Sequence, residues 1–353
     1  MKKTVLVTGG AGYIGSHTAV ELIEAGYRVV IADNLSNSEL GAVEGVRRIT
    51  GVDVPFEMVD CNDPAAMAGL FAKYTIDAVI HFAAFKAVGD SVFEPLKYYA
   101  NNVGSLVTLL ETMRAAGVAN IVFSSSATVY GQPDVLPATE DTPRLPATSP
   151  YGATKQICED ILNDSVAAYS AGGPVDGARG GFGSGLRSIA LRYFNPIGAH
   201  PSALIGELPR GVPSNLVPFI TQTAAGIRTE LSIFGDDYDT PDGTALRDFI
   251  DVVDLAKAHV VAVGRMISGS QRTPYEVFNI GTGRSVSVME LVKGFERVNG
   301  VAVPHKIVGR RAGDIQALWA DPSLAAEVLG WRSDRPLDET LRSAWAWQKQ
   351  LGK

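Results

Sequence analysis

Thr4-Val5-Leu6-Val7-Thr8-Gly9-Gly10-Ala11-Gly12-Tyr13-Ile14-Gly15 is the stretch that decides the fold. Its first five residues form an apolar, β-branched run of the kind buried in parallel sheets. The run empties into glycines at 9, 12 and 15, and a helix is expected to follow to about residue 25. Glycines so placed let the chain turn tightly, let the backbone approach a pyrophosphate and let the helix pack on the sheet. The helix N-terminus then offers free N–H groups to phosphates. A second strand is expected over 28–32, ending at Asp33. A carboxylate at that strand end accepts hydrogen bonds from a ribose diol and repels a 2′-phosphate, which favours NAD over NADP. Gly9, Gly12, Gly15 and Asp33 are therefore candidate cofactor residues. A glycine triplet alone is a weak signal; strand, triplet, helix, strand and terminal acid in order is a strong one.

The alternation continues outward. Helices are expected over 41–50 and 64–74, strands over 55–59 and 78–82, and a long helix over 95–116 that carries Asn101. Asp60, at the end of the third strand, stands either where an adenine edge would be touched or in a solvated loop. Lys86 closes the loop after the fourth strand, at the sheet edge where ligands bind. Further strands are expected over 120–124 and 188–192. Beyond Asn195 the alternation loosens into short strands and helices over 231–234, 247–250, 252–266, 275–280, 287–299 and 337–350. The expected architecture is α/β. A Rossmann-type doubly wound parallel sheet covers 1–190, and a smaller mixed α/β substrate-capping domain covers 191–353, with some segments returning to the sheet. The glycine-dense stretch 170–188 reads as an inserted excursion, because it lacks the strand–loop–helix frame of a phosphate loop. Trp345 and Trp347, on the last helix, read as packing residues.

The chemistry is expected where the 120–124 strand feeds Ser125 and Ser126, and where Ser149-Pro150 opens a helix carrying Tyr151 and Lys155. Ser149 suits an N-cap and Pro150 the first turn. Four residues apart, Tyr151 and Lys155 share a helix face. An ammonium beside a phenol favours the phenolate. A base, its activator and a serine proton relay are what hydride removal from an alcohol needs.

Composition bounds the alternatives. At 353 residues, 46% hydrophobic and 20% charged, the chain has length for about two domains and a sizeable core. A net charge of −7 argues against nucleic acid as partner. Cys61 and Cys158 are the only cysteines, too few for a disulfide framework, and the five histidines show no metal-ligand spacing. No run of about 18 apolar residues exists, so no membrane span is expected and the cytoplasm is the simplest location.

The glycine spacing, the serine strand and Tyr-x-x-x-Lys together resemble the extended short-chain dehydrogenase/reductase superfamily. Several further stretches extend the likeness nearly end to end, to the UDP-glucose 4-epimerase family within it. They are Asp33-Asn34-Leu35, Tyr98-Tyr99-Ala100-Asn101-Asn102-Val103, Leu191-Arg192-Tyr193-Phe194-Asn195-Pro196, Asp242-Gly243-Thr244 with Arg247-Asp248, and Arg310-Arg311-Ala312-Gly313-Asp314. The resemblance implies interconversion of UDP-glucose and UDP-galactose with a resident NAD. Tyr151 takes the sugar 4-hydroxyl proton, Ser126 shares the proton path, and Lys155 lowers the Tyr151 pKa and bonds the nicotinamide ribose. Hydride leaves C4, the 4-keto sugar rotates about its link to UDP, and hydride returns to the other face.

By the same resemblance Tyr13, Ile14, Asn34, Phe82, Lys86, Asn101 and Tyr193 join the cofactor site, with Asn37 at the adenosine ribose, and Asp60 remains a candidate on its position alone. The substrate side implied comprises Lys86, Ser126 and Tyr151 with six further positions. Asn215, Arg247 and Arg311 serve the phosphates, Asn195 lies beside the first phosphate, Asp314 holds the uridine ribose and Phe234 lies near the uracil. Leu318 walls the sugar near C2, where many members carry tyrosine, and the smaller leucine would admit N-acetylated sugars. Dehydratases of the superfamily place acids directly after the serine-strand polar residue; Ala127 and Thr128 stand there, so elimination lacks its proton donor. A homodimer is implied. The alternatives are 4-epimerisation of another UDP-sugar (N-acetylhexosamine, pentose or uronate) and an idle NAD or nucleotide-sugar sensor.

Overall fold

The computed structural model describes residues 2–170, 181–182, 185–311 and 314–352. Six strands come from the first 193 residues: β1 (Thr4–Thr8), β2 (Arg28–Asp33), β3 (Phe56–Met58), β4 (Ala78–His81), β5 (Asn120–Ser126) and β6 (Arg187–Tyr193). A seventh, Tyr275–Ile280, comes from far along the sequence. The sheet order is β3, β2, β1, β4, β5, β6 and Tyr275–Ile280, and all neighbours run parallel. The order reverses direction between β1 and β4, which makes their carboxyl ends the switch point of a doubly wound sheet.

The continuous apolar runs follow from burial on both faces. Alternate strand residues point to opposite sides. Val5, Val7, Val29, Ile31 and Ile80 enter one core, while Leu6, Val30, Val79 and Ile121 enter the other. The first core is completed by a helix of the second half. Val252–Ile267 packs Leu255, Ala258 and Val263 against Ala19 and Leu22 of the helix Tyr13–Glu24. A division at 190/191 thus falls inside β6, and residues 252–280 belong physically to the sheet. The other second-half elements close a separate core around Ile220, Phe249, Leu291, Phe295 and Leu341. Trp345 meets Phe295 edge-on, and the indole N–H of Trp347 donates to the Glu207 carbonyl at 2.9 Å, so both tryptophans are packing residues.

Two expected elements are broken for identifiable reasons. The 95–116 helix is three pieces, Pro95–Tyr98, a π-helical turn Tyr99–Val103 and Gly104–Ala116, preceded by the short helix Val88–Phe93. Asn102 sits in the wide turn. Its amide bonds the backbone of Phe85 in both directions, at 2.8 and 3.0 Å, and Thr154 at 3.1 Å. Such turns recur at functional sites. The expected 247–250 strand splits into Leu246–Arg247 and Phe249–Asp251 around Asp248. That buried carboxylate accepts N–H groups of Thr282, Gly283 and Ala320, and so pins three separate segments together. Within the glycine-dense stretch 170–188, residues 171–180 and 183–184 lie outside the described residues.

Candidate active site

The glycine turn is shaped by close approach. Gly9 adopts φ +70°, and a β-carbon there would lie 2.7 Å from the Ala83 nitrogen. A β-carbon on Gly15 would lie 2.4 Å from the Gly9 carbonyl oxygen. No side chain caps the helix Tyr13–Glu24, whose N-cap is Gly12. Its first-turn N–H groups, from Tyr13 through Gly15, therefore lack partners within the helix. This cradle fits a pyrophosphate, and the acid at the end of β2 completes a dinucleotide frame. Asp33 is buried. One oxygen accepts the Ala11 N–H at 3.1 Å, and the other accepts the Leu35 N–H at 2.9 Å and the Ser38 hydroxyl at 2.7 Å. Asn34 donates to Asp60 at 3.1 Å, and Asn62 also donates to Asp60, whose carboxyl these hydrogen bonds hold below its ordinary value against burial. Asn37 is exposed in the loop that follows. Ile14 and Phe82 are half-buried, and Phe82 stacks obliquely on His259 at 4.8 Å. Asn101 accepts from Asn62 at 3.3 Å.

The proton-handling residues meet at the carboxyl end of β5. Ser149 caps the helix Pro150–Ser170, its hydroxyl accepting the Gly152 N–H at 3.2 Å. That fixes Tyr151 in the first turn, where the Ser126 hydroxyl counters part of the rise that burial imposes on its phenol. Ser126 Oγ accepts both the N–H of Thr128 at 3.2 Å and its hydroxyl at 3.0 Å, which leaves the Ser126 hydrogen for Tyr151. Thr128 was legible only as a missing acid; its role in orienting Ser126 depends on the turn. Tyr193 lies at the end of the neighbouring strand β6, its hydroxyl 3.1 Å from His259 Nε2.

The expected activation of Tyr151 by Lys155 does not hold in this state. Lys155 Nζ donates to the Ser124 carbonyl at 2.6 Å and lies 5.9 Å from the centre of the Tyr151 ring. Burial outweighs the Ser126 hydrogen bond and pushes the Tyr151 phenol up to about 12. Burial also brings the Lys155 ammonium down from 10.5 to about 8. Sequence spacing places two groups on one face but does not set which acceptor the ammonium finds.

The expected substrate residues fall into two groups. Arg247 Nη2 reaches Asp314 at 2.5 Å, and Arg311 approaches the other Asp314 oxygen at 3.5 Å. Burial lowers the Arg247 pKa from its ordinary value even with Asp314 beside it. The Arg311 guanidinium sits 5.7 Å over the exposed Phe234 ring. These four residues converge; Ala312 and Gly313 of the same motif lie outside the described residues. Lys86 and Asn215 form the second group, joined by a residue that the sequence did not reveal. Glu207 accepts from Lys86 at 2.7 Å and from Asn215 at 2.6 Å. Asn215 is the N-cap of Leu216–Ala224 yet makes no cap bond, its side chain turned to Glu207 instead. With 121 residues between Lys86 and Glu207, no local pattern announces the pair. Asn195 is exposed at the start of the strand Asn195–Ile197. Leu318 is buried with Ala127, Phe194 and Ala320, next to the serine turn.

The Lys155 shift carries a stability signature. In NAD-free protein the unfolded chain binds more protons than the folded one between pH 8 and 10.5, so the native state gains stability as pH rises through that window. Lys155→Met lacks this dependence. The denaturation free energy of the native chain, relative to the variant, should climb by up to about 3 kcal/mol across the window. Parallel pH curves from chemical denaturation would refute the shift.

A family model described as GDP-mannose 4,6 dehydratase matches residues 6–344. A UDP-glucose 4-epimerase of Dictyostelium discoideum is 50% identical over 344 residues, covering 98% of this chain and 95% of that protein. The crystal structure of a UDP-glucose 4-epimerase from Stenotrophomonas maltophila, with bound NAD and formylated UDP-arabinopyranose, superposes with a TM-score of 0.92 at 47% identity, covering 99% of each chain. The enzyme from Bifidobacterium longum in complex with NAD+ and UDP gives 0.91 at 46% identity, covering 99% and 98%. Ala127 is buried among apolar side chains and Thr128 is bonded to Ser126, so neither offers the acid that dehydration requires. Within the broad group that the family model describes, the chain belongs to the UDP-glucose 4-epimerase family.

Proposed function

We propose that this enzyme interconverts UDP-glucose and UDP-galactose with NAD as a resident cofactor. The observation that carries the reading is the meeting of Ser126, Tyr151 and Lys155 at the carboxyl end of β5, in the same sheet edge as the glycine cradle after β1. NAD, when bound, supplies the hydride acceptor for sugar C4, a positive charge in the cleft, and the hydride that returns.

The chain's own residues bind the sugar nucleotide and move the proton. Tyr151 accepts the 4-hydroxyl proton and later returns it. It accepts that proton as the phenolate; burial opposes this form, and the positive charge that NAD brings to the cleft favours it. Ser126 donates to the Tyr151 oxygen and so favours its charged form. Lys155, tied to the Ser124 carbonyl, is positioned to bond a ribose hydroxyl. Arg247 and Arg311 serve the diphosphate, with Asp314 holding both arginines in place beforehand. Asn215 and Lys86 extend the donor set, and Phe234 offers a ring face to the base. Gly9, Gly12, Gly15 and Asp33, with Tyr13, Ile14, Asn34, Asn37, Asp60, Phe82, Asn101 and Tyr193, form the cofactor side.

Leu318 is the reading's specificity element, since its place beside Ala127 sets the width of the sugar end. A smaller wall admits an N-acetyl group, within the roughly 1–3 kcal/mol that one such contact decides. An exposed apolar face supports a homodimer. Phe93 is 84% and Leu96 82% exposed, with Val92 nearby and Ile157 on the adjoining helix. Patches of this kind mark protein contacts.

Three outcomes are expected. Tyr151→Phe should bind NAD and UDP-sugar yet convert UDP-galactose at least ~10²-fold more slowly in a product assay without added cofactor; near-native turnover would remove Tyr151 from the chemistry. The native protein should turn over UDP-N-acetylglucosamine and lose that activity selectively in Leu318→Tyr, whereas failure of both native protein and Leu318→Gly would sink the reading of this wall. Phe93→Asp/Leu96→Asp should run as a monomer in light scattering where the native chain runs as a dimer; a native monomer would refute the interface.

A further inference from the structure

One irregular stretch, residues 198–210, touches the segments that follow β1, β2 and β4 at the dinucleotide cleft. After β1, the Tyr13 hydroxyl donates to the Gly198 carbonyl at 2.7 Å. After β2, the Arg210 guanidinium donates to the Ser36 carbonyl at 3.0 Å and to the Ser38 carbonyl at 2.5 Å. Ser38 is the residue whose hydroxyl bonds Asp33. After β4, Lys86 pairs with Glu207 at 2.7 Å. Parallel sheets of this kind hold their ligands at these carboxyl ends. The stretch therefore crosses the mouth of the cleft rather than running beside it.

Its middle is fixed and its two polar contacts are not. Ile205 is buried against the helix Leu40–Thr50, so close that a β-carbon on Gly45 would lie 2.4 Å from Ile205 Cγ2. Gly206 lies under the Trp347 ring, and the Glu207 carbonyl takes the Trp347 N–H. By contrast the Lys86 side chain is 39% exposed and the Arg210 contacts are exposed, so water can compete for both. A segment pinned at its centre, with breakable charge-assisted bonds to either side, can open locally without unfolding.

We infer that residues 198–210 are a strap closing over the bound dinucleotide, with Glu207 and Arg210 as its latches. The inference rests on the NAD reading above. Glu207 holds Lys86 to the strap and Asn215 at the sugar-nucleotide side with one carboxylate. Arg210 holds the loop next to Asp33. While both latches are closed, the dinucleotide stays through successive turnovers; release requires both to open.

The test is NAD retention by purified holoprotein, followed as cofactor lost to dialysate over time. Glu207→Ala and Arg210→Ala should each shed NAD about 3- to 10-fold faster, the scale of one charge-assisted contact, and the double variant by about the product. Glu207→Gln should recover part of the retention, because its amide oxygen still accepts from Lys86 and Asn215. The NAD-free melting temperature of each variant should match the native value. Native retention in the double variant would overturn the strap alone. So would a raised KM for UDP-sugar with unchanged NAD loss, or faster loss tracking a lowered NAD-free melting temperature. Native protein that holds no NAD would overturn the functional reading and the strap with it.

Discussion

The carbonyl oxygen of Gly9 occupies space that a β-carbon on Gly15 would need, 2.4 Å away. That contact lets the chain leave β1, reverse and enter the helix Tyr13–Glu24 within a few residues. The uncapped helix end then faces the sheet edge where β1 and β4 diverge, and the helix packs on the face shared with Val252–Ile267. A side chain at Gly15 would push the helix away from the Gly9 turn, and one at Gly9 would strike the Ala83 backbone after β4, so either would close the gap through which phosphate oxygens approach backbone N–H groups. Everything downstream is aimed at that gap: Asp33 from β2, Lys86 from the loop after β4, and the serine turn from β5.

A second constraint is charge. The chain carries −7 yet must hold two anionic nucleotides side by side. Three of the cationic groups proposed for the cleft are paired beforehand, Arg247 and Arg311 with Asp314 and Lys86 with Glu207, while Lys155 bonds the Ser124 carbonyl. An internal carboxylate keeps each cation extended toward the cleft and limits the cost of burying it unpaired. It also moderates affinity, since an arriving phosphate shares or displaces an existing partner. This suits a site whose cofactor stays and whose sugar nucleotide leaves.

The proton site shows the same economy of position. Burial alone would keep Tyr151 protonated, and Lys155 is committed to the Ser124 carbonyl. Against burial, Ser126, itself oriented by Thr128, lowers the phenol pKa.

Local patterns were enough for most of the frame. The strands Thr4–Thr8, Leu231–Phe234 and Tyr275–Ile280 and the capped helix carrying Tyr151 follow from runs, caps and glycines that act within a few residues, because backbone hydrogen bonding and steric exclusion are short-ranged. The glycine cradle and the Ser126–Tyr151–Lys155 set were legible for the same reason. What the sequence could not determine were contacts between distant segments: the return of Val252–Ile267 and Tyr275–Ile280 to the sheet, the π-turn forced by Asn102, the pinning of three segments by Asp248, and the bridging carboxylate of Glu207. Their partners stand tens of residues or more away, and nothing in the intervening chain records the pairing. Tertiary packing decided them, and it also decided which way the Tyr151 pKa moves, because desolvation depends on everything that surrounds a group and not on the residue four positions along.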